Sequence, residues 1–304
     1  MGSEFHRIKR LPPYVFSEVN QLKLAARTLG KDIIDFGMGN PDMPTPKHIV
    51  DKMQETLKNP KTHGYSASRG INGLRKAVAE FYARRFSVQI DPETETIVTL
   101  GSKEGLANLA SAITTPGDVI LVPNPSYPIH QFGFIIAGAS VRNVPVLPDK
   151  DYMGALESAV RHSIPKPIAL VLNYPNNPTT ITAPLEFYEE VVSFCKSHQI
   201  YILSDLAYSE LYFDGYPPPS ILQVAGAKDI AVEFTSMSKT YSMAGWRVGF
   251  ASGNSELISA LGRVKSYLDY GAFTPIQVAA TAALNGSDKC INDIREIYKK
   301  RRDI

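Results

Sequence analysis

The chain predicts an α/β protein: a three-layer α/β/α sandwich around a mostly parallel mixed sheet. Three observations carry this. Short apolar or β-branched runs recur along most of the sequence, at Thr96 to Leu100, Val119 to Val122, Ser140 to Val146, Ile168 to Leu172, Ile200 to Leu203, Ile230 to Phe234 and Arg247 to Ala251. They are continuous rather than alternating, as strands buried on both faces are. Helical patterns lie between several of them, notably Glu186 to Ser197 and Glu256 to Tyr267, which is the signature of parallel strands joined by crossover helices.

In chain order, the opening Met1 to Phe5 (MGSEF) reads in part as an expression scar, and Phe5 to Pro13 is basic and proline-punctuated. A helical segment, Ser17 to Leu29, has Val19, Leu22 and Leu24 as its apolar positions; this reads as an arm, not a core. The short run Ile33 to Phe36 breaks into Gly37-Met38-Gly39-Asn40-Pro41-Asp42, where glycine permits tight turning and Pro41 bars continued strand pairing. His48 to Leu57 and Leu74 to Phe86 read as helices, the second with Leu74, Val78 and Phe81 in register, and Gly64 to Gly70 is the loop between them. After Thr96 to Leu100 the chain passes through Gly101-Ser102-Lys103-Glu104-Gly105 into a helix, Leu106 to Ile113. The last segment, Cys290 to Ile304, aligns Ile291, Ile294 and Ile297 and reaches Lys299-Lys300-Arg301-Arg302-Asp303-Ile304 without a glycine or proline stop. The expected division is residues 1–45 as an arm contributing to a small domain, 46–288 as the large domain, and 289–304 as the start of a small-domain helix whose remainder is absent. No internal repeat or low-complexity segment interrupts this plan.

Composition narrows the function classes. With 304 residues, 44% of them apolar and a formal net charge of +2, the chain holds enough material for a buried core and no polybasic stripe that would require nucleic acid or a membrane surface. The two cysteines, Cys195 and Cys290, lie far apart and outside any metal-ligand spacing, so neither a disulfide framework nor a metal site is expected, and a cytoplasmic setting is the default. No apolar run approaches the length of a membrane span, and no signal-peptide core is found at the N-terminus.

The chemistry is concentrated in Glu233 to Ser252, EFTSMSKTYSMAGWRVGFAS. An amine that must attack a carbonyl near neutral pH needs desolvation or nearby positive charge to lower its pKa, and Lys239, among small and apolar residues, fits that need. Ser236 three residues earlier offers a hydroxyl and Arg247 eight residues later a planar fork, a pair suited to a phosphate. Together they suggest a phosphorylated aldehyde held as a Schiff base, with pyridoxal phosphate the evident candidate; the alternative is a solvated loop lysine beside a surface arginine.

In open parallel sheets, ligands gather at the carboxyl ends of strands, and polar residues fall there. Asp205 follows a buried strand and is suited to a protonated pyridine nitrogen; Tyr208 and Asn177 are suited to a phenolic oxygen. Tyr127 supplies a stacking face, and Ser102 to Glu104, at a strand-to-helix turn, supply a phosphate site. Each also has an ordinary reading, as a helix-capping aspartate, a turn asparagine before proline, a core or rim tyrosine, or a plain strand-to-helix turn.

The ordered pieces GSKEG, PNPSYP, NYPNNPT, SDLAYSEL and SMSKTYSMAGWRVGF resemble the class I and II aminotransferases of fold type I, and PNPSYPIH and KSYLDYGAFTP look closest to the alanine-type transaminases. The resemblance implies a pyridoxal phosphate large domain in which Lys239 is Schiff-base lysine and proton shuttle, Asp205 holds the pyridine nitrogen, and Tyr208 and Asn177 hold the phenolic oxygen. It implies Tyr127 stacked on the ring, phosphate contacts from Ser102, Lys103, Glu104, Ser236 and Arg247, and Tyr65 reaching across a homodimer interface to the partner's phosphate. Gly39 is implied in backbone contact with the substrate carboxylate, with Asn177 also beside the substrate.

The implied reaction is ping-pong transfer of an amino group between an amino acid and a 2-oxo acid such as 2-oxoglutarate, within amino acid metabolism and biosynthetic processes. Thr180 stands where the family often has glycine. The arginine that binds a second carboxylate in aspartate-specific members has no counterpart in Tyr267 to Pro275, which favours an alanine-type donor over aspartate. The rivals are an aspartate aminotransferase, a lyase on the same fold and, outside enzymes, a cofactor-binding relic whose basic arm, Arg7 to Arg10, meets a partner.

Overall fold

The structure, a computed structural model, describes residues 5–37, 39–146 and 151–304; Met38, the first four residues of the suspected scar and the side chain of Arg7 lie outside them. The chain divides into two units, Met1–Asp42 and Met43–Ile304. In the first, α1 (His6–Lys9) precedes α2 (Val15–Thr28), which buries none of its residues, and Lys23 pairs with Asp35 at 2.7 Å.

The second unit runs α3 (Lys47–Leu57), α4 (Asn72–Phe86), β1 (Thr96–Thr99), α5 (Ser102–Ile113), β2 (Val119–Asn124), α6 (Ile129–Ala137), β3 (Ser140–Pro145), α7 (Tyr152–Arg161), β4 (Pro167–Asn173) and α8 (Leu185–His198). It continues with β5 (Tyr201–Asp205), β6 (Ala231–Ser236), α9 (Met237–Thr240), β7 (Gly249–Gly253), α10 (Ser255–Leu268), α11 (Thr274–Leu284) and α12 (Lys289–Asp303). The seven strands form one mixed sheet in the order β1-β7-β6-β5-β4-β2-β3. Only β7 runs against its neighbours, antiparallel to both β1 and β6.

Each face of the sheet carries its own core. Leu74, Val78, Tyr82, Val191, Leu170 and Ile202 belong to the side packed by α4 and α8. Leu106, Leu109, Ile258, Leu261, Val171 and Phe234 belong to the side packed by α5 and α10. Alternate residues of β4 thus enter opposite cores, which explains the unbroken apolar runs of the central strands.

The strands expected from the sequence are all present, with two local corrections. Arg247 is not the first residue of a strand: it adopts the left-handed conformation, φ 53°, which cannot continue a ladder, and β7 starts two residues later. Ser102 to Glu104 is not a loop but the first turn of α5, with Gly101 at its N-cap. Besides the one-turn helices α1 and α9, three longer helices lie outside the sequence expectations: α6, α7 and α11. The first and last are apolar nearly all round (IHQFGFIIA and TPIQVAATAAL) and show no stripe of period 3.6. The Thr-Pro opening of α11 is a helix-start signal that was legible.

Candidate functional site

The carboxyl ends of β4, β5 and β6 lie side by side. Asn173 pairs with Asp205 in register and Asp205 with Phe234, so the last residues of the three strands reach the same edge. Asp205 is the final residue of β5 rather than a residue beyond it. Ser236 ends β6 and caps α9 by accepting from the Ser238 N–H at 3.2 Å, which turns the chain so that Lys239 faces the same edge.

Around that edge Lys239, Tyr208 and Asn177 come together. Lys239 Nζ lies 5.7 Å from the centroid of the Tyr208 ring, and Asn177 Nδ2 donates to Tyr208 Oη at 3.4 Å. Burial, then the charge of Arg247, lowers the Lys239 amine from its ordinary value, partly opposed by Asp205. Burial, with the Asp205 carboxylate adding to it, raises the Tyr208 phenol, while Asn177 works the other way. The lysine is thereby moved toward a free amine and the tyrosine held as a hydrogen-bond donor.

A second group of contacts forms around the N-terminus of α5. Gly101 has φ 87° and no side chain to satisfy the first-turn N–H groups. Arg247 approaches so closely that a Cβ on Gly101 would meet its guanidinium; its Nη2 donates to the Leu100 carbonyl at 3.0 Å and its Nη1 to that of Ala244 at 2.9 Å. Lys103 Nζ lies 5.9 Å from the ring of Tyr127. Guanidinium, uncapped helix start and ammonium are groups suited to an anion. The Glu104 carboxylate is turned from it, accepting from the Leu100 N–H at 2.8 Å and pairing with Lys265 Nζ at 2.9 Å.

Two predicted residues, Tyr65 and Gly39, make none of these contacts. Tyr65 is 88% exposed and packs on Tyr270, ring centroids 4.5 Å apart. Gly39 belongs to the N-terminal unit, where a Cβ would meet nothing within 4 Å.

Two further residues were missed. His130 is wholly buried, and its Nε2 lies 2.9 Å from Asp205 Oδ2. A carboxylate only accepts, so Nε2 carries the hydrogen of this contact, while Nδ1 has no hydrogen-bond partner among the described residues. Its signal in the sequence is the close of PNPSYPIH. Asn173 donates from Nδ2 to the Asp205 carbonyl at 2.9 Å and accepts at Oδ1 from the Asn177 N–H at 2.9 Å, fixing both residues to one side chain. Only the register of β4 on β5 shows that role.

The site thus offers a guanidinium beside a helix start, a tyrosine, an asparagine and a carboxylate near one sheet edge, and an amine of lowered pKa. The family model for aminotransferase class I and II matches residues 31–304. The chain is 64% identical over 301 residues to a putative aminotransferase, AatC, of Rhizobium meliloti, covering 99% of this chain and 74% of that protein. It is 56% identical over 300 residues to the glutamate-pyruvate aminotransferase AlaC of Escherichia coli, covering 99% and 73%. Among solved structures, apo-BacF from Bacillus subtilis superposes with a TM-score of 0.92 at 38% identity, over 100% of this chain and 77% of that one. The chain belongs to the class I and II aminotransferases, and with them to the pyridoxal phosphate-dependent enzymes that move amino groups in amino acid metabolism.

Proposed function

We propose that this enzyme is an alanine-type aminotransferase, exchanging an amino group between alanine and a 2-oxo acid such as 2-oxoglutarate, with Lys239 at its centre. The single observation that carries the site reading is the position of the Lys239 amine, partly buried between the Arg247 cation and the Asp205 carboxylate and beside the Tyr208 ring. The substrate reading is supported by the 56% identity to a glutamate-pyruvate enzyme and by a stretch, Tyr267 to Pro275, that contains no arginine for a second carboxylate.

Pyridoxal phosphate, when bound, supplies the aldehyde that takes up the amino group and a ring that draws electrons from the substrate. Arg247, Ser236 and the first-turn N–H groups of Ser102, Lys103 and Glu104 hold its phosphate. Tyr127 offers the ring an aromatic face. Asp205, oriented by His130 and Asn173, would hold the ring nitrogen, and Tyr208 and Asn177 would donate to the ring oxygen. Lys239 takes a proton from the substrate Cα and returns it, as a general base whose lowered pKa leaves part of it unprotonated. All of these residues fall within 46–288, which we take as the cofactor-binding domain.

We further place the working enzyme in the cytoplasm as a homodimer in which Tyr65 serves the partner's phosphate and Gly39 the substrate carboxylate. The free thiols Cys195 and Cys290 suit a reducing compartment, the first pushed up to about 12 by burial. No helix among the described residues is long and apolar enough to cross a membrane. Tyr65, Tyr267 and Tyr270 form an exposed aromatic patch suited to a second copy.

The test is a half-reaction screen: the pyridoxal phosphate-loaded chain is mixed with alanine, glutamate or aspartate alone and followed by absorbance. Conversion to the pyridoxamine form with alanine and glutamate, but poorly with aspartate, is the expected result. A Lys239→Ala variant that still converts sinks the site reading, and preference for aspartate sinks the substrate reading.

A further inference from the structure

Lys265, on α10, is a wholly buried lysine, with its Nζ 2.9 Å from Glu104 Oε1 and 3.0 Å from Asp269 Oδ2. A buried ammonium is costly unless paired, and its two partners lie on segments that matter. Glu104 sits in the first turn of α5, where a carboxylate and a bound phosphate would compete for one positive field and repel each other. Three donors hold that carboxylate in place: the Leu100 N–H at 2.8 Å, the Asn108 amide, and Lys265.

Asp269 faces the other way. Its Oδ1 accepts from the Gly271 N–H at 2.6 Å and its carbonyl accepts from Ser68 Oγ at 2.5 Å. Gly271, at φ 79°, lies so near the Ala67 carbonyl that a Cβ would meet it. Gln277 closes the same loop, donating to Ser66 Oγ at 2.8 Å and accepting from the Ile71 N–H at 2.8 Å. One ammonium therefore joins the α5 cradle to the loop that carries Tyr65.

We infer that Lys265 is a positioning residue for the cofactor phosphate: its charge neutralises the Glu104 side chain at the start of α5. The inference rests on the reading of the α5 N-terminus as the phosphate cradle. Within it, Glu104 contributes its backbone N–H, and Lys265 cancels the side-chain charge that comes with it.

The experiment is titration of the cofactor-stripped chain with pyridoxal phosphate, read by absorbance, with inorganic phosphate as competitor, for the wild type, Lys265→Met and Lys265→Met/Glu104→Gln. Lys265→Met is expected to bind at least about tenfold more weakly, with inorganic phosphate losing affinity by a similar factor, because an uncompensated carboxylate then remains in the same helical turn as the anion. The double variant, which removes one charge of each sign, is expected within about threefold of the wild type. Wild-type binding by Lys265→Met, or a double variant about tenfold weaker than wild type, overturns the inference. If Lys265→Met does not fold, the double variant alone decides by the same limits. A wild-type chain that binds neither pyridoxal phosphate nor phosphate refutes the cradle reading itself, a result distinct from failure of the Lys265 bridge.

Discussion

His130 Nε2 lies 2.9 Å from Asp205 Oδ2, with the imidazole fully buried and edge-on to the Tyr127 ring at 6.0 Å. A side chain named for the ring nitrogen is thus itself held by a ring that packs on the proposed stacking tyrosine. His130→Phe keeps the bulk and removes the donor. A lost hydrogen bond to a buried charged group costs about 1–3 kcal/mol, so the half-reaction rate is expected to fall roughly ten- to hundredfold while cofactor affinity changes less. Stopped-flow single turnovers check this, and unchanged rates would show that Asp205 is oriented without it.

Gly101→Ala tests the cradle. A Cβ there meets the Arg247 guanidinium, and φ 87° strains any residue with a side chain. Binding of pyridoxal phosphate is expected to weaken by about tenfold, with stability reduced by about 1–2 kcal/mol. Equilibrium titration and thermal melts read the two effects separately.

Glu233 makes the fold pH-dependent. Its buried carboxyl is pushed up to about 7 by desolvation, against the opposing pull of Ser220, the Ile221 N–H, Tyr82 and Ser204. The folded state therefore holds a proton that the unfolded chain releases near 4.5. Stability from this group is full below that pH and falls as pH rises through about 7. Subtracting the Glu233→Gln stability curve from the wild-type curve should leave a downward slope between pH 4.5 and about 7. A flat difference would show that the carboxyl titrates normally.

Thr180→Gly should stabilise the chain. Thr180 stands at φ 62°, a left-handed conformation that a β-branched residue resists. Strain of about 1–2 kcal/mol is relieved, against about 0.5–1 kcal/mol of added chain entropy, so a gain of up to about 1 kcal/mol is expected in denaturant unfolding. A lower midpoint would mean that the threonine side chain contributes more than its backbone costs.

Much of the site was readable before any coordinates because its residues follow strand ends, and strand ends are marked locally. Apolar runs stop at Leu172, at Leu203 and at Phe234, and local order alone places Asn177, Tyr208 and Lys239 a few residues beyond them. The sheet followed for the same reason, since continuous apolar strands need cover on both faces. Thr180 stands where the family often has glycine, and its left-handed backbone is one that glycine adopts without strain.

What tertiary structure alone decided is which distant side chains meet. The pairing of β4 with β5 puts Asn173 between Asp205 and Asn177, and the packing of α6 on the sheet sends His130 to Asp205 from 75 positions away. Lys265 reaches Glu104 across 161 positions only because α10 lies along α5. Glu233 looked like one more member of an apolar strand until Tyr82, Ser204 and Ser220 were found around it. Period and spacing report which face a residue occupies, through the local geometry of one element. They carry nothing about which residue of another element occupies the opposite position, because that is set by register and by the packing of whole helices against the sheet.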